Sequence, residues 1–202
     1  MKDFLTALQV QRWDDHRFYH HNRINQSLHL VSAISFVVVY AWLLVDPVVS
    51  ALIAWLISMT TRQMGHFFFE PKVYDVVNQA THEHKEDIKV GYNLRRKVVL
   101  MGLWALVPLV VWTQPSLFGG FEPYQSFAGF AREVGAVWLV LGAAGLLLRA
   151  GQLLMLVNAL TAVVWVSKIL TDPFHDIGLC RGAPLHLMRG ELMDPMHRVR
   201  LG

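Results

Sequence analysis

Long apolar stretches constrain the fold of this chain more than any other feature. They cover residues 29–45, 48–64, 98–112 and 134–170, with polar segments between them. A membrane-spanning helix needs about 17 to 25 mainly apolar residues, so we expect the shorter helices to extend into their polar flanks. Asp46-Pro47 ends the first stretch, and because this link is so short the first two helices must be antiparallel neighbours.

Composition supports an all-α, polytopic integral membrane bundle. Of the 202 residues, 54% are hydrophobic and only 16% are charged, which is more apolar than an average soluble protein. The net charge of +3 does not indicate nucleic-acid binding, because the basic residues flank the apolar stretches. A lone cysteine, Cys180, excludes an internal disulfide framework.

The distribution of basic residues predicts the topology. They concentrate before the first stretch, between the second and third, and in the tail, so an even number of crossings places all of these on the cytoplasmic side. We predict about four spans with both termini cytoplasmic, in a bacterial inner membrane or an endomembrane. Residues 134–170 are ambiguous: they form either two short spans or one broken span. Arg149 within them must face a polar partner or water.

We therefore divide a single membrane domain, 1–202, into five segments. They are an interfacial helix (1–27), a helical hairpin (28–64), a cytosolic His-rich segment (65–97), further spans (98–170) and a cytosolic tail (171–202). In the tail, Pro173, Gly178, Gly182, Pro184 and Gly190 are expected to break any long helix.

None of the ten histidines falls between Lys97 and Asp172, so four crossings would gather them in one cytosolic cap. Imidazole is the commonest protein ligand for zinc, iron and copper. The candidate metal ligands are His20, His29, His66, His82, His84 and His175. His82 and His84 are two residues apart, a spacing that allows both to face inward from a strand or turn but not from an ideal helix.

Other polar residues near these histidines are candidates for supporting roles. Glu70 lies four residues after His66, so on a helix it either ligates directly or orients the imidazole. His21 points away from His20 if the segment is helical. Asn22 and Asn25 either support the site or cap the first long helix. The sequence has no phosphate-binding glycine loop and no H-E-x-x-H motif.

Two motifs resemble a known family. The pattern H-x-N-x-x-N-x-x-x-H runs from His20 to His29, and G-H-x-x-F-E runs from Gly65 to Glu70. Together they are similar to the membrane 2-hydroxy fatty acid dioxygenases. The resemblance implies a small multi-span protein that uses ferrous iron and dioxygen to shorten 2-hydroxy fatty acids by one carbon.

Carried over residue by residue, the resemblance implies functional roles for His20, His29 and His66. It gives supporting roles in catalysis to Asn22, Asn25 and Glu70. A basic side chain of the cap, Arg95 or Arg96, is expected to meet the substrate carboxylate.

Two other functions stay open at this point. A diiron lipid hydroxylase or desaturase also uses a histidine-rich cytosolic cap, but the repeated H-x-x-H-H boxes of that class are missing. A non-enzymatic membrane metal-binding or scaffold protein would hold Zn²⁺ as readily as Fe²⁺. The expected partners of the dioxygenase are a lipid or fatty acid, dioxygen and the membrane.

Overall fold

The computed structural model describes residues 1–70 and 72–196, and helices form most of these ranges. They are α1 (Lys2–Tyr19), α2 (Arg23–Leu43), α3 (Pro47–Ile53), a π-helical segment (Ala54–Met59), α4 (Thr60–Phe68), α5 (His82–Ile88), α6 (Leu94–Thr113), α7 (Phe127–Leu156), α8 (Ala159–Cys180) and α9 (Ala183–Met188). The described ranges contain no strand and two isolated β-bridges, Asn22 with Met193 and Asp75 with Ala80. The predicted all-α class is confirmed.

The first two apolar stretches form the hairpin of α2 and the continuous helical segment α3–π–α4. Asn22 caps α2, accepting a hydrogen bond from the Ile24 amide at 2.7 Å. Asp46 caps α3 by accepting from the Val48 amide at 3.0 Å, and Pro47 occupies the first turn, where its missing N–H costs nothing. Both helices extend beyond their apolar stretches into polar sequence, as predicted.

The π-helical segment widens the second helix at the bundle centre. Thr60 Oγ1 donates to the carbonyl of Trp55 at 2.8 Å, which partners an oxygen left by the wider turn. Trp55 Nε1 donates to Trp138 O at 2.9 Å, and Trp138 Nε1 donates to Trp104 O at 3.0 Å. These buried indoles tie the π-helical segment to α6 and α7.

The ambiguous region 134–170 forms parts of two helices, α7 and α8, that break at residues 157–158. Asn158 caps α8 by accepting from the Thr161 amide at 2.7 Å. Arg149 does not mark the break: it lies within α7 and donates to Val90 O at 3.1 Å and to Gln152 Oε1 at 3.2 Å. The expectation of a polar partner for this arginine is met.

The expectation that prolines and glycines break the tail is wrong for α8, which continues through Pro173 and Gly178 to Cys180. Asp172, Pro173, Asp176 and Cys180 are buried and recur at helical spacing. This face packs against α1 and α2, so the energy of burial outweighs the cost of an internal proline. The unbroken helix carries Asp176 to the middle of the histidine-rich region.

Among the described residues, two helices are long and apolar enough to cross a membrane. These are Arg23–Leu43 and Phe127–Leu156. A helix rises 1.5 Å per residue, so the 30 residues of α7 are about 45 Å long. This length exceeds the roughly 30 Å thickness of a bilayer hydrocarbon core. Membrane association is thus supported by length and composition.

Candidate metal centre

Three histidines from three elements meet in the interior. His20 follows the end of α1, His29 lies in α2 and His66 lies in α4, and all three are buried. One possible ligand atom from each lies within 4.8 Å of those from the other two. The ring centroids are 4.1 Å apart for His20 and His29, and 4.9 Å apart for His29 and His66. We call this group the three-histidine cluster.

The chemistry of the cluster fits a metal ion. His20 Nε2 and both ring nitrogens of His29 are buried without a hydrogen-bond partner. A buried polar group without a partner costs about 1 to 3 kcal/mol, so such groups are rare in folded proteins. Burial, and next the neighbouring His29, lower the pKa of His20, which favours the neutral imidazole that a metal requires. A bound cation would satisfy His20 Nε2 and one of the two His29 ring nitrogens at once.

Glu70 orients one of the imidazoles. Its Oε2 lies 2.8 Å from His66 Nδ1, and both side chains are buried. A carboxylate that accepts from Nδ1–H fixes the tautomer and leaves Nε2 as the metal-binding nitrogen. Burial raises the pKa of Glu70 and the positive charges of Lys89 and Lys97 oppose that rise. The four-residue spacing of His66 and Glu70 in the motif therefore places the carboxylate where it orients the imidazole.

Asp176 stands behind His29. Its Oδ2 lies 4.0 Å from His29 Nδ1, which is too long for a hydrogen bond, and 3.0 Å from Arg62 Nη1. The guanidinium compensates the buried carboxylate and holds it beside the imidazole. Sequence reasoning placed neither Asp176 nor Arg62 beside His29, although Arg62 precedes His66 by one helical turn.

Gly65 allows the elements of the cluster to approach each other. A Cβ at this position would lie 2.1 Å from Asn25 Oδ1 and 3.3 Å from His29 Cδ2. Asn25 Nδ2 donates to Tyr19 O at 2.7 Å, which ties the end of α1 to α2 just before His20. The residue pair Gly65-His66 thus combines a close helix contact with a ligand.

The remaining predicted ligands lie outside the cluster. His82 is half-buried and His84 is exposed, both in the helix α5, and His175 is on the exposed side of α8. His197 lies outside the described residues. Asn22 is the α2 cap and His21 faces away from the cluster, where its Nε2 bonds Arg17 O.

A cavity of about 450 Å³ adjoins the cluster, with His66 in its wall. This volume lies within the roughly 300–1,000 Å³ of small-molecule sites. Its polar lining includes Arg62, Gln63, Lys89, Lys97 and Lys168. Its apolar lining includes Phe36, Trp55, Leu100, Leu141, Leu146 and Trp165. Asp14, Asp15 and Asp172 also line it, so the cavity joins a polar region of mixed charge to an extended apolar region.

The predicted carboxylate-binding arginines do not line this cavity. Arg95 and Arg96 are exposed, whereas the next residue, Lys97, is buried and forms part of the wall. The sequence shows three consecutive basic residues and does not by itself show which of them faces inward.

Fold and site together define an α-helical protein with a three-histidine candidate metal centre beside a largely apolar cavity. Scans against family models, curated proteins and solved structures found no match for this chain.

Proposed function

We propose that the protein is a membrane dioxygenase that holds one ferrous ion on His20, His29 and His66 and shortens 2-hydroxy fatty acids by one carbon. The observation that carries the proposal is the cluster of unsatisfied imidazoles beside a largely apolar cavity. Imidazole suits iron, and a set of three protein donors leaves coordination positions open for substrate and dioxygen. The two motifs that resemble the dioxygenase family supply most of these residues.

The overall reaction balances with one dioxygen per substrate. A 2-hydroxy acid and dioxygen give the acid one carbon shorter, carbon dioxide and water. When bound, the iron would supply the redox chemistry that dioxygen requires, while the protein supplies binding, orientation and electrostatics. Glu70 holds the His66 ring in place, and the carboxylate of Asp176 lies behind His29.

The cavity suits a molecule with one charged end and a long apolar body. Its lining includes four basic side chains as well as His66, and its apolar side chains come from α2, the π-helical segment, α6, α7 and α8. An acyl chain in the apolar region would exclude water from the metal centre. Gly142 and Gly145 of α7 also line the cavity, and neither places a side chain in it.

We propose four crossings: α2, the segment from Pro47 to Phe68, α6 and α7. Outward-facing residues such as Val99 of α6 and Leu147 of α7 are 64% and 70% exposed, which suits contact with lipid. Four crossings put both termini and the cluster towards the basic, cytoplasmic side. In this arrangement α8, with Lys168 and Asp172 on its buried face, covers that side of the bundle.

The test is metal analysis of anaerobically purified protein together with oxygen uptake on addition of 2-hydroxypalmitate. We expect one iron per chain, uptake that depends on the substrate, and pentadecanoate as the product by mass spectrometry. A protein that holds iron but consumes no oxygen with this substrate contradicts the proposal.

The same measurements separate the rival functions. A diiron hydroxylase or desaturase would hold two irons per chain and return a product of unchanged length. A non-enzymatic metal-binding or scaffold protein would retain zinc and consume no oxygen. The single group of convergent ligands in residues 1–70 and 72–196 favours one ion over two.

A further inference from the structure

Lys97 has an unusual environment for a cationic side chain. It lies in the first turn of α6, which Asn93 caps by accepting from the Arg96 amide at 3.2 Å. Its side chain is buried, with 8% of the residue exposed, and it lines the cavity that His66 also lines. Buried lysines are rare unless they are paired with an anion.

The other cations that line the cavity have carboxylate partners. The pairs are Arg62 with Asp176 at 3.0 Å, Lys168 with Asp172 at 2.6 Å, and Lys89 with Glu86 at 3.5 Å. The ammonium of Lys97 makes no hydrogen bond or ion pair with any residue of the described ranges. Burying an ammonium without a counter-charge is costly. Among the described residues, Glu70 and Asp15 attract the Lys97 ammonium only from beyond ion-pair distance, so this cation of the cavity lining has no direct carboxylate partner.

We propose that Lys97 is the residue that binds the carboxylate of the acyl substrate. A carboxylate placed in the cavity beside Lys97 gives the buried ammonium a direct ion-pair partner, and charge-assisted hydrogen bonds are stronger in a buried position than in water. The inference rests on the proposed function, because it assigns a role at the substrate site of that enzyme.

The position of Lys97 also orients the chain. Leu100 lies one turn further along α6 and belongs to the same cavity wall, so it is on the same face of the helix as Lys97. A substrate held at Lys97 therefore directs its apolar chain past Leu100 towards Gly142 and Gly145 of α7. Its reactive end stays at the wall that contains His66.

Binding to the metal-free protein tests this role without iron or turnover. Full-length protein, treated with a chelator in detergent, is loaded with tritiated methyl palmitate, and unlabelled palmitate or unlabelled methyl palmitate displaces the label. We expect palmitate to displace it at a concentration roughly ten- to a hundredfold lower than the ester, the range of a buried charge-assisted hydrogen bond.

Four variants complete the experiment. Lys97→Met and Lys97→Gln should bind the tritiated ester normally, which shows that they fold, and should lose the preference for the acid. Lys97→Arg should keep the preference because it keeps the charge. The matched control is Arg95→Met, which removes an exposed charge of the same helical turn and should leave the preference unchanged.

The inference is overturned if Lys97→Met keeps the wild-type preference, if Arg95→Met loses it to the same extent, or if the wild-type protein does not prefer the acid. A failure of the proposed function looks different. In that case the acid preference still depends on Lys97, while the purified protein lacks iron or consumes no oxygen.

Discussion

His20 and His21 are neighbours in the chain, are buried to the same degree, and lie in opposite chemical environments. His20 faces the three-histidine cluster, and its Nε2 has no partner. His21 faces a polar network in which its Nε2 bonds Arg17 O and lies 3.4 Å from Asp75 Oδ2. That network also includes Asn78, which donates to Asp75 at 2.8 Å, and Lys85, whose Nζ is 3.6 Å from Asp75.

The difference shows which property of a buried histidine indicates function. In the His21 network the protein supplies the partners, so burial there contributes to the structure of the fold. In the three-histidine cluster, His20 Nε2 and both ring nitrogens of His29 have no hydrogen-bond partner, so bringing these imidazoles together is unfavourable until a cation binds. Burial alone does not distinguish the two, but hydrogen-bond satisfaction does.

The largest expected effect is on metal content. His66→Ala removes one of three convergent donors, so we expect iron to be lost from the purified protein while the helical content is retained. His21→Ala is the matched control and should keep its iron. Elemental analysis and circular dichroism measure both. Equal iron content in the two variants would contradict the distinction between the three-histidine cluster and the His21 network.

The His21 network should respond in stability and not in metal content. Asp75→Asn removes the carboxylate that lies near both His21 and Lys85, and breaking a buried charge pair costs about 3 kcal/mol or more. We expect a lower midpoint in denaturant unfolding with iron retained at the wild-type ratio. Loss of iron without loss of stability would mean that this network belongs to the metal site.

Gly65 tests the close approach of α4 and α2. Gly65→Ala puts a methyl group where Asn25 Oδ1 lies, and crowding of this kind costs about 1 to 3 kcal/mol. We expect lower stability and weaker iron retention, measured by unfolding and by competition with a chelator. Gly178→Ala is the control: a Cβ there meets nothing within 4 Å, so helix propensity should leave its stability unchanged or improved.

The smallest effect is expected from Glu70→Gln. The amide oxygen still accepts a hydrogen bond from His66 Nδ1, but the negative charge that makes the imidazole a stronger ligand is lost. Changes to such supporting residues typically weaken metal binding 10- to 100-fold, and we expect about the lower value. A chelator titration measures it. Unchanged affinity would show that Glu70 only fills space.

Much of the site was predictable because its residues are close in sequence or follow helical spacing. His20, His29 and His66 were all predicted, and so was the pairing of His66 with Glu70, because four residues make one turn. Gly65 was part of the motif, but the sequence does not show why a glycine is needed there. The reason is the close approach of Asn25 from α2, which only the structure shows. His82, His84 and His175 were equally plausible by composition and lie elsewhere.

The sequence by itself determined the helical class and the hairpin of α2 with the segment that follows, and it gave six candidate ligands that include the three clustered histidines. Hydrophobic length and local spacing contain that information. Only the tertiary structure decided that α8 passes through Pro173, that Asp176 and Arg62 meet beside His29, and that Lys97 and not Arg95 or Arg96 lines the cavity. These outcomes depend on which helix faces are buried against each other, and packing between distant segments sets that choice.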